Sequence, residues 1–283
     1  IYRPEHAILS TRDDMSYLEF NVYKTWTEYI NRLIGTVIGL LIFLTFIFSF
    51  KFIKIDNTIT FLCGFTFILV ALQAWIGSVV VSTNLSPWVI TIHMGIALVI
   101  TALLIYIVTR SQKNLFSARH LTRIPYLKLL LFIALMLTFI QILLGTQVRQ
   151  DVDIVAASFD YTNRQLWIDN LGTWFYIHRS FSIVLFLFNV LLIYILKKNV
   201  KAESTLNETY PTGKFLIRSS GYLLLGLFLQ IITGIVMAYF NIPLYLQPVH
   251  LLLGTLIFGI QFFMLLMLNY SESLTKIPKF RAE

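Results

Sequence analysis

The sequence predicts an all-α integral membrane protein. Of its 283 residues, 57% are hydrophobic and only 13% are charged, and the mean hydropathy of +0.76 exceeds that of ordinary soluble domains. Two runs of 53 residues, one between Asp56 and Arg110 and one between Arg218 and Glu272, contain no Asp, Glu, Lys or Arg. Each run can hold two membrane-spanning helices of about 20 residues. This composition excludes a disulfide scaffold, a disordered chain and a nucleic-acid-binding domain.

Seven transmembrane helices are predicted from the apolar runs. They cover residues 32–51, 58–81, 87–109, 126–148, 172–196, 215–239 and 245–269. The connections and ends on one side of these spans carry 15 Lys and Arg and 5 Asp and Glu, whereas the other side carries 7 and 9. The positive-inside rule makes the first side cytoplasmic, together with the C-terminus. The net charge of +8 therefore reflects topology rather than a site for a polyanion.

Glutamine, glycine, asparagine and histidine residues in the spans and in the turns between them indicate an internal repeat. Four of them recur at one offset of 157 residues: Gln73, Gly77, Asn84 and His93 return as Gln230, Gly234, Asn241 and His250. An even number of spans separates the equivalents, so the repeat is parallel. The second half has four predicted spans and the first has three. We therefore expect two pseudo-symmetric four-helix bundles, with the first helix of the first bundle missing from this sequence, which begins with Ile1 rather than Met.

This repeat predicts a division of the chain into five parts. They are an outer polar segment (1–31), an N-terminal half-bundle of three helices (32–109), a cytoplasmic linker (110–125), a C-terminal four-helix bundle (126–269) and a cytoplasmic tail (270–283).

Three histidines lie inside predicted spans, where an ionisable side chain favours a functional role. His178 and His250 lie on two helices of one bundle at similar depth, near the outer ends. Two imidazoles at one level in a four-helix bundle are typical axial ligands of a haem. The equivalents in the first half are Asn31, at an offset of 147 residues, and His93, at 157 residues. A single histidine leaves a haem iron with a free face where chemistry can occur. The alternative for each histidine is a hydrogen bond to a neighbouring helix.

A carboxylate accompanies the first-half site. Glu28 precedes Asn31 by three residues, and its counterpart in the second half is Phe175. A partly desolvated carboxylate beside a haem edge could act as a general base or stabilise a cation. The alternative is an interfacial glutamate paired with Arg32, and the sequence leaves both interpretations open.

The arginines near the span ends have a functional and a structural interpretation, whereas the glutamines of the spans have a structural one. Arg32, Arg149 and Arg179 could bind haem propionates, for which arginine is well suited, or they could extend to lipid headgroups. A third Gln-x-x-x-Gly segment begins at Gln141. Close approach of helices and an interhelical hydrogen bond explain all three of these segments. The single cysteine, Cys63, is interpreted as a small buried residue.

These residues together resemble haem A synthase. The resemblance covers residues 20–270 and rests on these segments: Glu28-Tyr-Ile-Asn31-Arg32, Gln73-x-x-x-Gly77, Leu85-Ser86-Pro87-Trp88 leading to His93, Leu144-Gly145-Thr146-Gln147-Val148-Arg149, His178-Arg179 and Pro248-Val249-His250. The segments are specific in combination and weak singly.

The resemblance implies a haem B cofactor held by His178 and His250 and a haem O substrate bound in the N-terminal half through His93. It also implies that Glu28 is the family's essential carboxylate. The implied reaction is oxidation of the C8 methyl group of haem O to a formyl group, giving haem A for terminal oxidases. Haem O synthase is then the expected upstream partner and cytochrome oxidase the recipient. The expected location is a bacterial inner (plasma) membrane, with the histidines near the outer face.

Three features depart from the family pattern. Asn31 stands where the family commonly has a histidine, so we expect the substrate iron to be five-coordinate through His93. The family's first helix and its outer loop, which often carries a cysteine pair, are not in this sequence. The 149–171 segment contains no cysteine either, so it offers no disulfide.

Two other functions remain open from the sequence. A haem-B-containing cytochrome that only relays electrons, for example to or from a quinone, needs the histidine pair but not Glu28. A transporter is favoured by the parallel repeat, but the spans lack charged residues and broken helices near the midplane. The electron acceptor and the oligomeric state, a homo-oligomer included, are not specified by the sequence.

Overall fold

The computed structural model describes residues 22–83, 85–112, 125–204 and 211–273, and in these ranges it contains helices and no strand. The long helices are α1 (Val22–Ser49), α2 (Asn57–Ser82), α3 (Pro87–Ser111), α4 (Pro125–Ser158), α5 (Thr173–Ser204), α6 (Pro211–Tyr239) and α7 (Leu246–Ser273). One-turn 3-10 helices occupy Phe50–Phe52, Arg164–Leu166 and Ile168–Asn170. All seven long helices of these ranges are long and apolar enough to cross a membrane. The predicted all-α, multi-pass membrane protein is confirmed.

Three helices extend at least eight residues further than hydropathy predicts, among them α5, which continues to Ser204. α1 begins at Val22, so Glu28 and Asn31 lie on the helix rather than before it. α4 continues to Ser158, so much of the predicted 149–171 loop is helical. Hydropathy marks the part of a helix in hydrocarbon, whereas a helix ends only where its backbone or its packing stops it. The extension of α4 is covered on its apolar side, since Ala156 packs against Trp167 and Ile242.

The turns after α2 and α6 share two backbone features. Leu85 and Ile242, 157 residues apart, both have positive φ, 63° and 50°. The Leu85 amide donates to the Val80 carbonyl at 2.8 Å, and the Ile242 amide donates to the Met237 carbonyl at 3.1 Å. These bonds satisfy carbonyls that the helix end would otherwise leave unpaired. Asn241 also has positive φ, 58°, as suits an asparagine in a tight turn.

α4 to α7 form a closed four-helix group in which α4 and α6 each pack against both α5 and α7. Its centre contains fully buried apolar side chains, among them Leu131, Leu192, Leu196, Leu216, Leu223, Met264 and Met267. α1, α2 and α3 pack in succession, and α3 also contacts α4 and α7. Residues 25–38 of α1 are all exposed. Asn84, residues 1–21 and most of the predicted linker and tail lie outside the described residues, and the internal repeat stays a prediction.

An amide pair is buried in the centre of the four-helix group. Gln261 Nε2 donates to Asn189 Oδ1 at 2.8 Å, and both residues have no exposed surface. Asn189 Nδ2 in turn donates to the Leu185 carbonyl at 2.9 Å. Since α5 and α7 are diagonally opposite, this bond joins helices across the middle of the group.

Replacing Gln261 with leucine is expected to destabilise the protein by about 1–2 kcal/mol, because Asn189 Oδ1 is left buried without a donor. The measurement is the unfolding midpoint in a denaturing detergent titration. The double variant Asn189→Leu/Gln261→Leu removes both polar partners and should recover part of the loss. A double variant less stable than Gln261→Leu would contradict this explanation.

Candidate functional site

The structure brings His178 and His250 together between diagonal helices α5 and α7. Their ring centroids are 6.4 Å apart and the rings are inclined at 59°. A histidine nitrogen binds a first-row metal at about 2.0–2.1 Å, which places two rings sharing one metal about 6 Å apart. The observed separation therefore fits two axial ligands of one haem iron.

Each Gln-x-x-x-Gly segment supports one of the three intramembrane histidines on the following helix. Gln73 Nε2 donates to the His93 carbonyl at 2.8 Å, Gln141 Nε2 donates to the His178 carbonyl at 2.9 Å, and Gln230 Nε2 lies 3.0 Å from His250 Nε2. A Cβ placed on Gly77, Gly145 or Gly234 would lie 3.4 Å from Cε1 of the same histidines. The interhelical hydrogen bonds and close approach expected from the sequence are both present.

Several buried polar atoms around these histidines have no hydrogen-bond partner among the described residues. They are Nδ1 of His93 and His178 and Oε1 of Gln73, Gln141 and Gln230. Unpaired buried polar atoms are uncommon in folded proteins and call for a specific explanation. A bound group that engages the histidines and reorients the glutamine amides would account for them. This observation and the ring separation both fit a haem at His178 and His250.

Glu28, Asn31 and Arg32 lie on an exposed part of α1. Arg32 and Glu28 form an ion pair within α1, with side chains 63% and 55% exposed, and Asn31 is also exposed. No hydrogen bond or ion pair among the described residues joins them to His93. The Glu28–Arg32 ion pair that was one interpretation of the sequence is present. Glu28 is exposed, so the described residues do not shield its carboxylate from solvent as expected.

The two other arginines lie at the same end of the helices as the histidine pair. Arg149 pairs with Asp153 one turn along α4, with nitrogen and oxygen 3.4 Å apart. Arg179 follows His178 directly and is exposed. Their assignment to haem propionates stays a prediction.

A polar contact links the two halves beside the histidines. The hydroxyls of Thr91 on α3 and Thr146 on α4 are 2.8 Å apart, and Gln147 Nε2 donates to Thr91 Oγ1 at 3.0 Å. Thr91 precedes His93 by two residues, and Thr146 follows Gly145, which contacts His178. The two histidine sites are thus joined through a short polar contact.

The sequence analysis did not single out Thr233, Asn189 or Gln261. Thr233 lies one turn after Gln230, and its hydroxyl is 2.8 Å from His250 Nδ1. Asn189 and Gln261 each follow a histidine of the pair by 11 residues, which is three helical turns on one face. Helical spacing was the available signal, from Gln230 for Thr233 and from a histidine for Asn189 and Gln261.

The fold and this site define a multi-pass helical membrane protein with a facing pair of histidines near one end of its spans. The family model described as cytochrome oxidase assembly protein, COX15-CtaA, matches residues 3–262. The chain therefore belongs to the cytochrome oxidase assembly protein family, which confirms the family resemblance found in the sequence. No curated protein and no solved structure matches it significantly.

Proposed function

We propose that this protein is a haem A synthase, an oxidoreductase that converts the C8 methyl group of haem O into the formyl group of haem A. The observation that carries the proposal is the His178–His250 pair, with ring centroids 6.4 Å apart, in a member of the cytochrome oxidase assembly family. Haem A is a cofactor of terminal oxidases, so its synthesis is a step in their assembly.

The cofactor of this proposal is haem B, held by His178 and His250. The 6.4 Å separation of the two rings and the small glycines beside both rings support this assignment. When bound, haem B supplies a one-electron acceptor for the oxidation, with a quinone-type oxidant as the external acceptor. Arg149 and Arg179 would bind its propionates as charge-assisted hydrogen-bond donors.

The substrate half of this proposal uses His93 to bind the iron of haem O, with Arg32 and Asn31 near the substrate edge. Two successive hydroxylations with water give a gem-diol, which loses water to form the aldehyde. Overall the methyl group and one water yield the formyl group, four protons and four electrons. Glu28 would take a proton from the attacking water or stabilise the developing cation, as a general base or a fixed negative charge does.

The proposal also names partners and a location. Haem O synthase supplies the substrate, and cytochrome oxidase receives the product. The seven apolar helices support a multi-pass membrane protein, and the charge distribution favours a bacterial inner membrane with a cytoplasmic C-terminus and histidines near the outer face.

The test is mass spectrometry of the haems extracted from the purified protein after co-expression with a haem O synthase in a host that makes no haem A. Haem A or its hydroxylated precursor, together with haem B, is the expected result. Haem B alone in the extract would contradict the synthase.

A second candidate is a haem-B-containing cytochrome that only relays electrons. The Glu28–Arg32 ion pair favours it, because pairing with Arg32 explains the Glu28 carboxylate without a catalytic role. It predicts haem B in the extract and no chemical change in added haem O.

Asn31 gives a further prediction for the substrate site. Since an amide oxygen is a poor iron ligand, bound haem O should be high-spin and five-coordinate through His93. The Asn31→His variant restores an imidazole and should convert the spectrum to low-spin six-coordinate. Electron paramagnetic resonance of the ferric protein loaded with haem O measures this. A low-spin bis-histidine spectrum from the unaltered protein's substrate haem would exclude the assignment.

A further inference from the structure

The three intramembrane histidines differ in what their Nδ1 atoms contact. The Nδ1 atoms of His93 and His178 are buried without a hydrogen-bond partner in the part of the chain that the structure describes. His250 Nδ1 instead lies 2.8 Å from the hydroxyl oxygen of Thr233. The difference comes from the position three residues after each glutamine, which is occupied by Ile76, Leu144 and Thr233 in turn. Only the third of these side chains has a hydroxyl.

The contacts of Thr233 specify which atom donates the proton. Thr233 Oγ1 is 3.0 Å from the Leu229 carbonyl and 3.0 Å from the Gln230 carbonyl. Carbonyls only accept, and donating the single hydroxyl hydrogen to either of them leaves the Thr233 oxygen able to accept a hydrogen bond. The hydroxyl oxygen then accepts from His250, whose Nδ1 carries a hydrogen. Thr233 is 9% exposed, so this arrangement is largely shielded from solvent.

The other ring nitrogen of His250 agrees with this assignment. Gln230 Nε2 lies 3.0 Å from His250 Nε2. An amide can present its nitrogen or its oxygen, and with the nitrogen presented His250 Nε2 accepts with its lone pair. One neutral tautomer then satisfies both contacts, with hydrogen on Nδ1 and a lone pair on Nε2. This is the tautomer in which Nε2 can bind a metal.

We propose that Thr233 is a positioning residue that fixes His250 in this tautomer and makes it the stronger of the two haem B ligands. The inference rests on the proposed function, in which His250 is an axial ligand. An acceptor for the second ring nitrogen orients a ligating imidazole and raises its basicity. His178 lacks such an acceptor among the described residues and is therefore the weaker, more exchangeable ligand.

The first test needs no haem. Protein with ¹⁵N-labelled histidine rings is studied by solid-state NMR in lipid bilayers, and the His250→Ala variant assigns the His250 signals. The unaltered protein and the Thr233→Ser variant should show His250 with hydrogen on Nδ1 only. Thr233→Val keeps the shape and removes the hydroxyl, so it should give a mixture of tautomers. An unchanged tautomer in Thr233→Val would overturn the proposal.

The second test measures release of haem B to excess apomyoglobin from the loaded protein. Thr233→Val should release haem about tenfold faster, as loss of such a partner typically weakens metal binding about 10–100-fold. Thr233→Ser should stay near the unaltered rate, and Leu144→Thr, which adds a hydroxyl at the equivalent position beside His178, should slow release. Equal rates for Thr233→Val and the unaltered protein, or equally fast release from Thr233→Ser, would overturn the proposal. If no variant binds haem B, the proposed function fails, and the NMR result alone decides the role of Thr233.

Discussion

Replacing His250 with alanine is expected to yield protein purified without haem B. The variant removes one of two ligands whose rings lie 6.4 Å apart. Since the loss of a mere hydrogen-bond partner of a metal ligand weakens binding about 10–100-fold, loss of the ligand itself should weaken binding by more than about 100-fold. The measurement is haem B per protein by the pyridine haemochrome assay.

His93→Ala is the matched control for this variant. His93 has the same Gln-x-x-x-Gly support from the preceding helix, but it belongs to the other half of the chain. The His93 variant should keep haem B and lose bound haem O. If both variants retained a full complement of haem B, the assignment of the cofactor to the His178–His250 pair would be wrong.

Replacing Glu28 with glutamine is expected to lower haem A formation by about 10²–10⁴-fold, the usual contribution of a general acid or base. Haem B content should stay unchanged, because Glu28 is on α1 and the pair is on α5 and α7. Extracted haem A per unit of haem B over time measures the effect.

Asp153→Asn is a suitable control for Glu28→Gln. Asp153 also pairs with an arginine four residues away, and its side chain is 52% exposed, close to the 55% of Glu28. Exposed ion pairs of this kind contribute little to stability, so the control should retain near-normal turnover. Full turnover in Glu28→Gln would exclude the catalytic role, and the ion pair with Arg32 would then be the remaining role of Glu28.

The sequence predicted the parts of this structure that depend on hydrophobic length and on rare polar residues. Seven spans follow from apolar runs, and a meeting of His178 and His250 follows from their similar depth on helices of one group. The glutamine contacts follow from small-residue spacing. The spans and the small-residue spacing can be recognised in one helix at a time, and the meeting of the two histidines depends on their depth alone.

The sequence did not predict features that depend on how helices are rotated against each other. The Thr233 contact with His250 and the Asn189–Gln261 bond each require a particular face of one helix to meet a particular face of another. The helical ends of α1 and α4 were also missed, because both extend past the most apolar segment, where hydropathy gives no signal. The exposure of Glu28 likewise depends on how α1 packs.

The three glutamine–histidine contacts have unequal sequence separations. Two join residues 20 apart, whereas the pair Gln141 and His178 is 37 apart because the longer connection between α4 and α5 intervenes. A Cβ on each glycine would nevertheless lie at the same 3.4 Å from Cε1 of its histidine. The close fit of glycine to histidine is therefore independent of how much chain joins the two helices.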